Sequence, residues 1–208
     1  MIPTPLRNLM RRIGRDRSGV AMLEFAMTMP VFIAGMETVN LAYASQKVGD
    51  IATLTADQIA RIRIGISEGD ATETLVGVQG VGSAMKFSTY GRIIVSSIQP
   101  VTDSSGNVTN QKIRWQRCKG ALNVTSSYGI QGATLGVDGM GPNGRKIAAG
   151  ANDEVIFVEV VYTYQPLISN AFMGTRTLRA IASMTVRERS VNDIQTTGTA
   201  SPCSTFSA

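Results

Sequence analysis

Val20-Ala21-Met22-Leu23-Glu24-Phe25-Ala26-Met27-Thr28-Met29-Pro30-Val31-Phe32-Ile33-Ala34-Gly35-Met36-Glu37 is the stretch that decides the architecture of this 208-residue chain. Phe25 to Met36 carry no charge, but that run alone is too short to span about 30 Å of hydrocarbon. Extending the helix from Val20 to Ala44 reaches membrane-spanning length and brings in Glu24 and Glu37. An intramembrane carboxylate costs about 2.5–3.5 kcal/mol near the bilayer centre, less towards the interface, and such residues usually have partners. Before the apolar run lie Arg7, Arg11, Arg12, Arg15 and Arg17, then Ser18-Gly19. An ordinary secretory signal has its apolar core ahead of the cleavage site and loses it with the leader. Here the small-residue site comes first. Cleavage after Gly19 would strip the arginines and leave the apolar helix as the mature N-terminus.

The charge is placed as unevenly as the hydropathy. Residues 1–18 hold five Arg and one Asp, a net +4 of the chain's +5, so the remainder carries only +1. The basic balance therefore belongs to the leader, and no nucleic-acid partner is expected. The positive-inside rule reads the leader as cytoplasmic and the remainder as exported across a single-pass span. Histidine is absent, which removes the commonest general base and metal ligand. No catalytic residue, metal or cofactor is expected. Cys118 and Cys203 fit neither a CxxC pair nor a zinc cluster. In an exported domain they are a possible disulfide, worth about 2–4 kcal/mol, and two unpaired thiols are the alternative.

With Gly19 removed, Glu24 would stand four residues from a new α-amine at Val20. Residues i and i+4 share a helix face, so amine and carboxylate can compensate each other within a subunit or between staggered neighbours. Pro30 deletes one helical hydrogen bond and is expected to kink the helix. Glu37 marks the outer end of the segment, reaching either interfacial water or a polar group of a partner helix.

Arg15-Asp16-Arg17-Ser18-Gly19-Val20-Ala21-Met22-Leu23-Glu24-Phe25-Ala26, with Met29-Pro30 and Gly35-Met36-Glu37, resembles the start of a TadE-like protein, a minor pseudopilin of the tight-adherence (Tad, or Flp) pilus system. The likeness covers about residues 12–45, with a weaker echo at Glu159-Val160-Val161-Tyr162-Thr163-Tyr164-Gln165-Pro166. It implies cutting by a prepilin peptidase between Gly19 and Val20, with Glu24 in the place of the family's glutamate. It further implies a bacterial inner-membrane protein that assists pilus assembly by subunit packing. Its partners would be the prepilin peptidase, other Tad minor pseudopilins, the short major pilin, the inner-membrane assembly platform and the lipid bilayer. Where family members often have a longer unbroken aliphatic run, this chain has Met27, Thr28 and Met29.

Beyond the bilayer, Leu41, Ala44, Val48, Ile51, Thr55, Ile59, Ile62 and Ile66 recur at three- and four-residue spacing, which predicts that the helix continues amphipathically over 45–66. Gly65 and Ser67-Glu68-Gly69-Asp70 are expected to end it. Strands are expected at Arg92 to Gln99, Gln111 to Arg117 (Ile113 and Trp115 on one face), Glu154 to Gln165 and Leu178 to Arg187. The fold expected is α+β, a long N-terminal helix packed on an antiparallel sheet of about four strands. Its divisions are a leader (1–19), a transmembrane helix (20–44), the amphipathic extension (45–66), an exported α+β domain (67–191) and a flexible Ser/Thr-rich tail (192–208), mobile unless Cys203 ties it down.

Between Cys118 and Ala151 the sequence reads as a long glycine-rich loop, ordered by the disulfide or by a neighbouring subunit. Within it Gly139-Met140-Gly141-Pro142-Asn143-Gly144 satisfies GxGxxG without the strand-to-helix context that phosphate binding needs, and reads as a turn. Asp153-Glu154 reads as a solvated turn pair, and Trp115 as a core residue. Two other functions compete with the leading one. A minor pseudopilin of a type II secretion system shares the leader logic. An uncleaved single-pass protein with a periplasmic ligand-binding or enzymatic domain does not.

Overall fold

The computed structural model describes residues 14, 18–167, 174–186, 189 and 191–208. Most of the expected leader, and Arg187 at the expected end of the last strand, lie outside these. The chain divides into two compact units, Met1–Leu41 and Ala42–Ala208.

Helix α1 (Ser18–Ala60) begins in the first unit and ends in the second. In the first unit every residue from Gly19 to Phe32 is exposed, and the helix from Gly19 is long and apolar enough to cross a membrane. Pro30 sits inside it without interrupting the helical assignment. The Thr28 hydroxyl donates to Glu24 O (2.9 Å) and that of Thr38 to Ala34 O (2.8 Å), the back-bonding to the preceding turn that helical threonines make.

In the second unit the rest of α1 buries Ala44, Val48, Ile51, Thr55 and Ile59 of the stripe predicted by the three- and four-residue spacing, together with Ala52 and Ala56. The helix stops at Ala60, short of the expected end near Ile66. Arg189 takes the carbonyls of Ile59 (2.6 Å) and Ile62 (3.0 Å), acceptors that a continuing helix would use. Gly65 then adopts φ +153°.

Ser67-Glu68-Gly69-Asp70, expected to close this helix, instead opens the next, α2 (Glu68–Val81). Ser67 Oγ accepts from Asp70 N (3.1 Å) while the Asp70 carboxylate accepts from Ser67 N (3.0 Å), a reciprocal capping box. A 3₁₀ turn (Ser83–Met85) and the short α3 (Phe87–Tyr90) lead into the sheet.

The sheet comprises β1 (Gly91–Thr102), β2 (Val108–Lys119), β3 (Val155–Thr163) and β4 (Thr177–Thr185) in the order β2-β1-β3-β4, every pair antiparallel. The long N-terminal helix on a four-stranded antiparallel sheet is the α+β architecture expected from the sequence. One strand departs from its expected facing. Ser97 lies opposite Trp115, but the next residue, Ile98, lies opposite Ile113. Arg114 is thus a bulge, and because directly opposed residues share a face, Ile113 and Trp115 point to opposite sides of the sheet. Both are buried.

β1 and β3 are buried on both faces through most of their length. The loop between Cys118 and Ala151 explains this, since it is itself part of the core. Met140 and Ala149 join Ile98, Ile113, Val155 and Phe157 in one buried cluster, with Tyr128, Ala133, Leu135 and Ile147 packed against it. The Gln111 side chain binds it like a strand neighbour, donating to Ala149 O (2.9 Å) and accepting from Ala149 N (3.2 Å). Gly139-Met140-Gly141-Pro142-Asn143-Gly144 is a turn, as expected: Met140 bridges Ile147, and Gly139, Gly141 and Gly144 all have positive φ.

Candidate functional site

The first candidate is the apolar half of α1. Gly19 has nothing within 4 Å of where a Cβ would stand, and Val20, Met22, Leu23, Phe25, Met27, Val31 and Phe32 are all more than half exposed. A largely apolar, exposed helix of this length is compatible with lipid or other helices around it. Glu24 lies exposed within that surface, one helical turn after Val20 and on the same face. Glu37 differs sharply, at 4% exposed.

The second is the tail and its clasp, all within the second unit. Cys118 and Cys203 form a disulfide across a sequence separation of 85. The tail expected to be flexible is therefore the tied alternative, and it is held at further points. Gln195 pairs with Ser67 as a β-bridge, Cys118 N donates to Ser201 O (2.9 Å), and the Thr72 hydroxyl donates to Thr199 O (2.7 Å). Arg114 holds Asp193 through two contacts of 2.5 and 2.8 Å, and the charged hydrogen bond draws the Asp193 carboxyl below its ordinary range.

Arg92 is fully buried. It donates to Gly120 O (2.9 Å), Thr205 O (3.1 Å) and Cys203 O (2.7 Å), with Phe206 stacked on its guanidinium at 4.2 Å. Burial lowers its pKa. Gly120, at φ +117°, lets the chain turn beside Gly91, where a Cβ would strike backbone.

The third is a buried ion pair. Glu154 and Arg189 meet at 2.8 Å with both side chains at 0% exposure, so Glu154 is no solvated turn residue. Ser97 Oγ donates to the same carboxylate at 2.5 Å. Burial pushes the Glu154 carboxyl upward against the pull of Ser97 and Arg189. Ser97 and Glu154 are both buried. Arg117 and Glu68 form a second shielded pair, joining β2 to α2.

A cavity of about 310 Å³ has the disulfide in its wall, with Gln116, Arg117, Ser126 and Gln131. Two of its polar groups are engaged with the protein: Gln131 Oε1 accepts from Arg117 (3.1 Å) and Ser126 donates to Glu159. Among the described residues no group of three His, Cys, Asp or Glu side chains is placed to hold a metal ion. Sequence reasoning found the disulfide candidates and the core placement of Trp115. It missed Arg92, Arg189 and the Arg117–Glu68 pair, whose partners are set by strand pairing and loop return rather than by spacing. Comparisons with family models, curated proteins and solved structures found no match to this chain.

Proposed function

We propose that this chain is a TadE-like minor pseudopilin, cut by a prepilin peptidase between Gly19 and Val20, and that it assists assembly of a Tad-type pilus in the bacterial inner membrane by subunit packing. The observation that carries the reading is the apolar helix uncovered from Gly19 to Phe32, directly after an arginine-rich leader, with Glu24 one turn beyond the expected new terminus. An uncovered apolar helix finds its free-energy minimum among lipid tails or neighbouring helices. Its lone early carboxylate is tolerable there if the α-amine of Val20, from the same or an adjacent subunit, neutralises it. The second unit, with its own core and a disulfide suited to an oxidising compartment, supports an exported domain that acts by binding.

N-terminal mass spectrometry of membrane-extracted protein from cells with and without the prepilin peptidase tests this. A peptidase-dependent start at Val20 is expected. A start at Met1 or Ile2 in both strains overturns the reading and favours an uncleaved single-pass protein.

A further inference from the structure

The turn at Gly139-Met140-Gly141-Pro142-Asn143-Gly144 ends in a pair with a chemistry of its own. Asn143-Gly144 is the one Asn-Gly pair in the sequence, and every other asparagine precedes Leu, Val, Gln, Asp or Ala. An asparagine side chain holds its amide carbon within five-membered-ring reach of the next residue's backbone nitrogen. A side chain on that next residue crowds the approach, and glycine, with no Cβ, leaves it open.

The fold leaves this pair free to react. Asn143 and Gly144 are exposed, as are Arg145 and Lys146 after them. Arg145 N donates to Pro142 O (2.9 Å), closing a four-residue turn with Asn143 and Gly144 at its centre. Among the described residues no hydrogen bond engages the Asn143 side chain or the Gly144 N–H. Nothing lies within 4 Å of where a Gly144 Cβ would stand. Exposed turns are also among the more mobile parts of a fold.

The same loop holds a contrast. Asp138-Gly139 is the one Asp-Gly pair in the sequence and could close the same ring. There the Gly139 N–H donates to Gly136 O (3.2 Å), and a Cβ at Gly139 would strike Ile147 O. The Asp138 carboxylate lies 3.8 Å from Lys146 Nζ. Its neighbouring nitrogen is engaged and packed, and an ionised carboxylate is a poor electrophile.

We propose that Asn143 is a self-modification site whose co-reactant is water. The Gly144 nitrogen, having lost its proton to solvent base, attacks Asn143 Cγ. The new N–Cγ bond forms, the Cγ–Nδ2 bond breaks, and the amide nitrogen takes a proton from solvent and leaves as ammonia. Water then opens the cyclic imide. Breaking the N–Cγ bond gives aspartate, and breaking the original peptide bond gives isoaspartate, whose main chain runs through an added methylene. Either product sets a carboxylate directly before Gly144 and Arg145. Isoaspartate also lengthens the backbone between Met140 and Ile147, which bond each other in both directions at 2.9 Å. Met140 belongs to the buried cluster, so the altered turn adjoins the core. The inference is independent of processing at Gly19.

The test ages the full chain in detergent, in water enriched with heavy oxygen, from neutral to mildly alkaline pH. Its peptides are mapped by mass spectrometry, with electron-transfer fragmentation to tell isoaspartate from aspartate. Asn143 is expected to lose its amide first among the asparagines, to take up heavy oxygen and to yield isoaspartate as well as aspartate, faster as pH rises. Asp138 should form no isoaspartate over the same period. Asn143→Gln, whose ring would be six-membered, should keep its amide while circular dichroism shows the fold unchanged. An Asn143 amide that persists in the folded chain overturns the proposal, whether or not unfolding in urea releases it. So do aspartate without isoaspartate, which marks direct hydrolysis, and equal amide loss at asparagines that precede bulky residues.

Discussion

Ser67 and Asp70 show how one short motif can be read two ways. Ser-Glu-Gly-Asp is turn-rich enough to end a helix and correctly spaced to begin one. The structure chooses the start: α1 stops at Ala60, where Arg189 donates to the carbonyls of Ile59 and Ile62. Ser67→Ala is expected to cost about 1 kcal/mol in urea unfolding, the usual worth of a cap. The Asp70 carboxyl is held below its ordinary 3.8 by hydrogen bonds from Ser67. A depressed carboxyl stabilises the fold above its unfolded value and loses that contribution as pH falls through the folded one. The destabilisation of Asp70→Ala should therefore be full at neutral pH and shrink below about pH 4, and unfolding curves at pH 7 and pH 3 would check this. Glu154 and Arg189 are a harsher case, since removing one partner leaves a buried charge. Glu154→Gln or Arg189→Met is expected to cost about 3–5 kcal/mol, and replacing both by apolar residues less than either alone. Neither role was legible from composition: Glu154 follows Asp153 in what reads as a solvated turn, and its partner lies 35 residues away.

At the scale of elements, strands and the amphipathic half of α1 were readable because their cues are local. Alternation marks a half-buried strand, and three- and four-residue spacing marks a helix face. The exceptions are equally physical. The bulge at Arg114 turns Trp115 and Ile113 to opposite faces, and only the register against Ser97 and Ile98 reveals it. The loop from 120 to 151 has no periodicity, yet it buries Met140 and Ala149 against the sheet. The tail looks mobile by its Thr, Ser and Gly content but is held by Cys203, Arg114 and Arg92. Cys118→Ser or Cys203→Ser is expected to lower stability by about 2–4 kcal/mol. It should also expose residues after Asn192 to rapid proteolysis, with cleavage sites read by mass spectrometry of the nicked protein.

For the molecule as a whole, the second unit contains the sheet, the disulfide and the core from Ala44 onward, whereas the apolar surface from Val20 to Phe32 lies in the first. A fragment of residues 42–208, made under oxidising conditions, is expected to elute as one species on size exclusion without detergent, while the full chain should require detergent. Aggregation of the fragment would mean that its core depends on the first unit. If the pseudopilin reading holds, Glu24→Gln should leave processing at Gly19 intact yet reduce co-purification with partner subunits, since it removes the group that answers the Val20 amine. The amino-acid sequence by itself determined the apolar helix, the order of helix and strands and the α+β class, because each follows from spacing between near neighbours. Tertiary structure alone decided where α1 stops, that the glycine-rich loop joins the core, and that loop and tail border the outer edge of β2. Those outcomes depend on residues far apart in the chain, such as Cys118 and Cys203 at a separation of 85, and no local pattern encodes a meeting that only the folded backbone brings about.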